Sequence, residues 1–146
     1  MYKKVSIIMN CYNGENYLDE SLNSVINQTY KNWELIFYDN CSTDKSVNIL
    51  KKYNDKRIKY FKSKKKINLG LARKKALSKA KGDFIAFLDT DDIWKKNKLY
   101  KQLKFFNDEK IGFTITNSIF FNKFKSKYFY SSKKNFEKKV FYKLIE

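Results

Sequence analysis

Residues 84–92 read FIAFLDTDD: five apolar residues from Phe84 to Leu88, then Asp89, Thr90, Asp91 and Asp92. A run that is apolar at every position, rather than at alternate ones, predicts a strand buried on both faces, as in a parallel sheet. Three carboxylates within four residues repel one another, so the turn that closes the strand favours a bound cation. Oxygen ligands suit Mg2+ or Mn2+, and Mg2+ commonly takes one or two carboxylates together with substrate phosphates. An Asp-rich turn also suits the start of a helix, where acids are favoured. The position at the carboxyl end of a buried strand weighs toward the cation.

Working outward, the same grammar recurs. Val5–Met9 (VSIIM) and Trp33–Tyr38 (WELIFY) are apolar runs, each followed by a polar break. Arg57–Phe61 alternates as a shorter strand, and Ile111–Thr116 reads as a fifth. Between them lie helical segments at 15–28, 44–53, 71–80 and 95–106. The first carries Leu18, Leu22, Val25 and Ile26 on one face; the third carries a small-residue stripe of Ala72, Ala76 and Ala80. Gly82 is expected to close the third helix as a C-cap. Strand and helix alternate four times, which predicts an α/β fold with a mostly parallel sheet and helices on both faces. Ligands of such sheets bind beyond the carboxyl ends of the strands. The chain is expected to be one domain over 1–146, with a core at 1–117 and a tail at 118–146 in which a hairpin and a last helix are both open.

The 146 residues include no His and no Pro. Without His the commonest general base and metal ligand is missing, so any metal should be a hard cation held by oxygen. The net charge of +17 has two readings: attraction to an anionic partner, or Lys filling solvated positions in a chain also rich in Asn, Ile, Phe and Tyr. Residues 56–81 hold 12 Lys or Arg and no acid, and eight Lys fall within 120–146. Peripheral contact with an anionic membrane is one use of such stretches. Nucleic acid is not expected, because the aromatics fall in apolar strand positions rather than interleaved with the charges. Cys11 and Cys41 are too few for a disulfide framework and read as packing residues. No apolar run approaches the roughly 20 residues of a membrane span, so a cytoplasmic location is expected, with contact at the inner face of the membrane.

Several polar residues sit at strand ends. Asp39 follows the second strand either as an acceptor for a base N–H or a ribose hydroxyl, or as the side chain of an Asx turn. Ser42-Thr43-Asp44 suits the cap of the next helix. Tyr12, after the first strand, offers a ring for a nucleobase or for packing. Arg73, on the helix before the Asp cluster, can reach a pyrophosphate or a base, or lie on a solvated face.

Two segments, VSIIMNCYNGENYLDESLNSVINQTYKNWELIFYDNCSTDKS at 5–46 and NLGLARKKALSKAKGDFIAFLDTDDIW at 68–94, carry five motifs in order. They are an apolar strand leading to Tyr-Asn, then Asn-Gln-Thr-Tyr, an Asp-rich turn with Ser-Thr-Asp, an Ala-Arg helix, and Phe-Leu-Asp-x-Asp-Asp. In these the chain resembles the nucleotide-binding half of inverting family 2 glycosyltransferases with the Rossmann-like GT-A fold. The resemblance implies a transferase that moves a hexosyl-type sugar from a nucleoside diphosphate donor, a UDP-sugar, to a saccharide or lipid-linked acceptor in cell-surface polysaccharide synthesis. It implies that Tyr12, Asp39, Arg73 and Asp89 contact the nucleotide-sugar and that Asp91 holds Mg2+ or Mn2+ against the diphosphate.

The chain departs from the family pattern at Asn10-Cys11, where Pro-Thr or a similar pair is usual, and at Asn40-Cys41, where Asp-Gly is usual. Asn40 removes a carboxylate from the nucleotide side, and Cys41 lacks the freedom of Gly at positive φ. An inverting transferase also needs a carboxylate base. The acids after Asp91 are Asp92, Asp108, Glu109, Glu137 and Glu146. None is nominated, so the domain is expected to be incomplete at its C-terminus. A donor-binding remnant without turnover and, further off, a basic nucleic-acid module are the competing readings.

Overall fold

The computed structural model describes residues 3–116, 119–121 and 126–128. The chain divides into two compact units, Met1–Asn107 and Asp108–Glu146. The first holds every expected site residue.

That unit is built on four strands, β1 (Val5–Cys11), β2 (Trp33–Asp39), β3 (Ile58–Lys62) and β4 (Phe84–Phe87), in the order β3-β2-β1-β4. Every neighbouring pair is parallel. Between and after them run α1 (Leu18–Ile26), α2 (Ser46–Lys51), α3 (Leu69–Leu77) and α4 (Lys98–Leu103). The alternating βα order and the GT-A-like α/β layering agree with the sequence.

Side chains alternate across the sheet, so the two faces meet different helices. Ile7, Met9, Leu35 and Phe37 pack with Leu18, Leu22 and Val25 of α1, Leu50 of α2 and Leu99 of α4. On the other face Ile8, Ile36 and Tyr38 pack on Ala72 and Ala76 of α3. The small stripe lets α3 lie close to the strands. Each buried Leu, Ile or Phe contributes about 1.5–3 kcal/mol, which makes β1 and β2 the centre of the fold.

Two buried polar groups fix the register around this core. Glu34 of β2 is 4% exposed. It accepts hydrogen bonds from Lys4 Nζ (2.8 Å), Ser6 Oγ (2.7 Å) and the Lys81 amide (2.8 Å). Burial alone would raise its pKa, and these donors outweigh burial and hold it below the ordinary value. Gln28, fully buried after α1, donates to the Ser24 and Lys95 carbonyls and accepts from the Leu99 amide. It thereby anchors the chain that follows the Asp cluster.

Two sequence expectations are corrected. Gly82 is not a left-handed helix cap, since no glycine here has positive φ; α3 ends at Ser78 in ordinary helical geometry. Gly82 is required by contact instead: a Cβ there would stand 2.6 Å from the Ser6 amide nitrogen and 2.8 Å from the Lys4 carbonyl oxygen. Residues 111–116 form no strand. Gly112 weakens that short run from within, and Phe113 and Ile115 remain exposed rather than alternating into a core. In the second unit β5 (Ile119–Phe121) instead pairs antiparallel with β6 (Ser126–Tyr128), so the hairpin alternative holds for that part. The remainder of the 118–146 tail, with Glu137 and Glu146, lies outside the described residues.

Candidate functional site

Because the strands are parallel, the segments leaving β1, β2 and β4 emerge at one edge of the sheet. Cys11 and Asp39 are register partners at the ends of β1 and β2. The two following loops are then cross-linked. Asn13 N donates to Ser42 Oγ (3.1 Å), Gly14 N to Ser46 Oγ (2.9 Å) and Glu15 N to Asp44 Oδ2 (2.9 Å). In return Thr43 N donates to Asn13 Oδ1 (2.8 Å) and Lys45 N to Glu15 Oε2 (2.9 Å). Asn13 and Cys41 both take positive φ, 53° and 66°. The sequence comparison at Cys41 thus identified a left-handed position, and the cysteine occupies it.

The turn after β4 joins this pair of loops. A Cβ on Gly14 would lie 3.1 Å from Thr90 Oγ1, and Ser21 Oγ of α1 donates to the Asp89 carbonyl oxygen. The middle residue of the Asp-Thr-Asp run therefore packs inward while its neighbours face out. Asp89, Asp91 and Asp92 are exposed. Arg73 Nη2 donates to Asp89 Oδ1 at 2.8 Å, so these two expected site residues are brought together. Asp91 enters none of the three ion pairs found among the described residues. Partial burial pushes the Asp92 carboxyl up, and the Asp91 and Asp89 charges push it further, with Lys98 opposing. The cluster thus carries uncompensated negative charge. No three acidic or cysteine side chains among the described residues gather into a closed metal site.

Asp39 is fully buried. Its Oδ1 accepts from the Ser42 amide (2.8 Å), which is the Asx turn, and its Oδ2 accepts from the Tyr60 hydroxyl at a longer 3.2 Å. Burial and the Asp39 charge push the Tyr60 phenol up to about 12, so it stays a donor. The Ser42-Thr43-Asp44 run ties the loops together more than it caps α2, whose N-cap is Lys45 with no side-chain bond. Asp44 Oδ1 still accepts from the Ser46 amide at 3.0 Å.

Tyr12 is 44% exposed, and Lys66 Nζ stands 3.7 Å from its ring centroid. Lys66, one of a run of lysines that the sequence does not single out, is thus brought against a candidate site residue. Asn40 was read as a lost carboxylate; its side chain in fact donates to the Ile67 carbonyl (2.7 Å) and accepts from the Ile67 amide (3.0 Å). An aspartate could not make the first of these bonds unless protonated. Asn10 Nδ2, near the end of β1, is buried without a partner among the described residues. Cys11 and Cys41 are both free thiols. Burial pushes the Cys11 thiol up despite hydrogen bonds from its neighbours, which suits a packing role.

Comparison with known proteins places this geometry. The family model described as "Glycosyl transferase family 2" matches residues 6–146. The chain is 42% identical over 113 residues to the Escherichia coli UDP-Glc:alpha-D-GlcNAc-diphosphoundecaprenol beta-1,3-glucosyltransferase WfgD, a match covering 77% of this chain and 45% of the relative. It is similar to the crystal structure of S. aureus TarS 1-349 in complex with UDP-GlcNAc, with 33% identity, a TM-score of 0.70, and coverage of 73% of this chain and 32% of that one. The mannosyltransferase PcManGT from Pyrobaculum calidifontis, solved with GDP-Man and Mn2+, shares the fold at 22% identity with a TM-score of 0.71, covering 75% of this chain and 34% of that one. The chain spans about half the length of the curated relatives it matches.

Proposed function

The chain belongs to glycosyl transferase family 2, and from that premise we propose that it binds a UDP-sugar at the carboxyl ends of β1, β2 and β4 and serves sugar transfer to a saccharide or lipid-linked acceptor in cell-surface polysaccharide synthesis. The observation that carries the proposal is the meeting of the cross-linked β1 and β2 loops, through Gly14 and Thr90, with the turn after β4 that holds the Arg73–Asp89 pair and the exposed Asp91. WfgD, by its name a UDP-Glc-dependent enzyme with a diphosphoundecaprenol acceptor, supports the substrate class. TarS, solved with UDP-GlcNAc, supports the nucleotide.

The residues fit a divalent cation. The donor set is oxygen alone, and Asp91, flanked in sequence by the exposed Asp89 and Asp92, enters no ion pair among the described residues. Asp91 would hold Mg2+ or Mn2+, the remaining positions being left to the diphosphate and water. A cation bound there supplies neutralisation of charge on the leaving nucleoside diphosphate.

The protein's own residues do the rest. Tyr12 presents a ring to the base. Asp39, fully buried in this structure, accepts from the base or ribose at Oδ2 once the half-exposed Tyr60 swings its hydroxyl, bonded there at 3.2 Å, out of the way. Arg73, with five donors in a planar fork, bridges Asp89 and the diphosphate. Transfer proceeds with inversion, which requires a carboxylate to deprotonate the acceptor hydroxyl; no residue is assigned that role. The working location is the cytoplasm, at the inner face of the membrane. No helix among the described residues is long and apolar enough to cross a membrane.

Incubation with UDP-sugars and a lipid-linked saccharide tests the proposal. Acceptor-dependent glycoside is the expected product. Tight UDP binding with no glycoside would favour the donor-binding remnant instead.

A further inference from the structure

We propose that Lys66 is a specificity-determining residue of the nucleotide site: its ammonium closes one face of the Tyr12 ring, competes there with a nucleobase, and is held in register by Asn40. The inference rests on the reading of Tyr12 as a nucleobase contact.

Three observations carry it. Lys66 Nζ lies 3.7 Å from the Tyr12 ring centroid, well within the roughly 6 Å of a cation–π contact. The loop that carries Lys66 is pinned at both ends. Ser63 is 5% exposed; its amide donates to the Asp39 carbonyl (2.8 Å), its hydroxyl to the Lys65 carbonyl (2.6 Å), and its own carbonyl accepts from Cys41 Sγ (3.1 Å). Ile67, next to Lys66, is gripped through both its amide and its carbonyl by the 7%-exposed Asn40. The backbone beneath Lys66 is therefore set by the end of β2, and the exposed side chain is what remains adjustable.

The chemistry follows. A base that stacks on this face of Tyr12 must displace the ammonium and lose its contact with the ring. Once displaced, the ammonium keeps its positive charge on the loop beside Tyr12, where it favours an anionic ligand over a neutral one. Lys66 thus disfavours an uncharged nucleoside and favours a nucleotide, which makes it a discriminator between uridine and UDP. Asn40 is a positioning residue. In Asn40→Asp the Ile67 carbonyl would lose its donor and face a carboxylate oxygen instead.

Ligand-observed NMR titrations of the full chain with uridine alone, and with UDP plus Mn2+, test this on wild type, Lys66→Met and Asn40→Asp. Lys66→Met keeps the apolar stem, and its folding is checked by circular dichroism. Uridine affinity is expected to rise about two- to five-fold in Lys66→Met, the size of an exposed cation–π contact, while UDP affinity rises less or falls. Asn40→Asp is expected to move the uridine-to-UDP ratio the same way. Unchanged or weaker uridine binding in Lys66→Met, with wild type still binding UDP, overturns the role of Lys66 and leaves the nucleotide site standing. A wild-type chain that binds neither ligand overturns both.

Discussion

Arg73 and Asp89 meet at 2.8 Å between the face of α3 and the end of β4, with side chains 37% and 54% exposed. A pair so solvated adds about 0.2–1 kcal/mol to folding. Its value lies in holding a guanidinium fork where a diphosphate is proposed to bind. Arg73→Ala is therefore expected to shift the urea midpoint little and to weaken UDP binding about tenfold, the loss of one charge-assisted contact. Equal UDP affinity in variant and wild type would remove Arg73 from the site.

Gly82 shows how closely the chain after α3 passes β1. Any Cβ meets backbone atoms of Lys4 and Ser6 at 2.6–2.8 Å, which no side-chain rotation relieves. Gly82→Ala should cost about 3 kcal/mol in urea denaturation, at the upper end of overpacking effects. A cost below about 1 kcal/mol would mean that the segment moves freely away from β1.

Cys41 sits at φ 66°. Left-handed backbone costs a residue other than Gly on the order of 1–3 kcal/mol, and most for a β-branched one. Cys41→Gly relieves that strain but gives up chain entropy and the thiol bond to Ser63. It is expected to be neutral or stabilising by up to about 1 kcal/mol, whereas Cys41→Val should destabilise by about 2 kcal/mol. Thermal melts of the two variants decide the matter; the reverse order would contradict the strain.

Glu34 predicts an acid limb. Its folded pKa is depressed below the ordinary 4.5, burial being outweighed by Lys4, Ser6 and the Lys81 amide. In the folded chain it holds its proton less readily than when unfolded. Its contribution is thus complete above pH 4.5 and is lost as pH falls from there through the folded value. Glu34→Gln should flatten the drop in stability below pH 4.5. An unchanged acid limb would show that other carboxylates, such as Asp55 beside Arg57, govern it.

β1 and β2 were legible because each is largely apolar and is buried on both faces. β3 was read from its alternation. β4 is apolar throughout as well, yet it buries only one face and leaves Ile85 and Phe87 exposed, which corrects the expectation of burial on both. The Asp cluster was legible because its place after Leu88 is itself a positional statement. Asn40 was not: a type change looked like a lost charge, while its role depends on Ile67, far along the chain, presenting both an amide and a carbonyl. Gly82 was misread for the same reason, since its constraint comes from β1 rather than from the helix it follows. Residues 111–116 matched strand alternation over a window too short to reveal the absence of a ladder. Gln28 stood within a recognised motif, but its grip on Lys95 and Leu99 is a tertiary fact.

The central claim is a UDP site completed by a divalent cation on Asp91. Calorimetry of wild type and Asp91→Ala with UDP, with and without Mn2+, tests it most directly. The account predicts that Mn2+ strengthens UDP binding to wild type at least tenfold and that Asp91→Ala loses this gain while remaining folded. Equal Mn2+-dependent binding by both proteins, or no UDP binding by wild type, would contradict it.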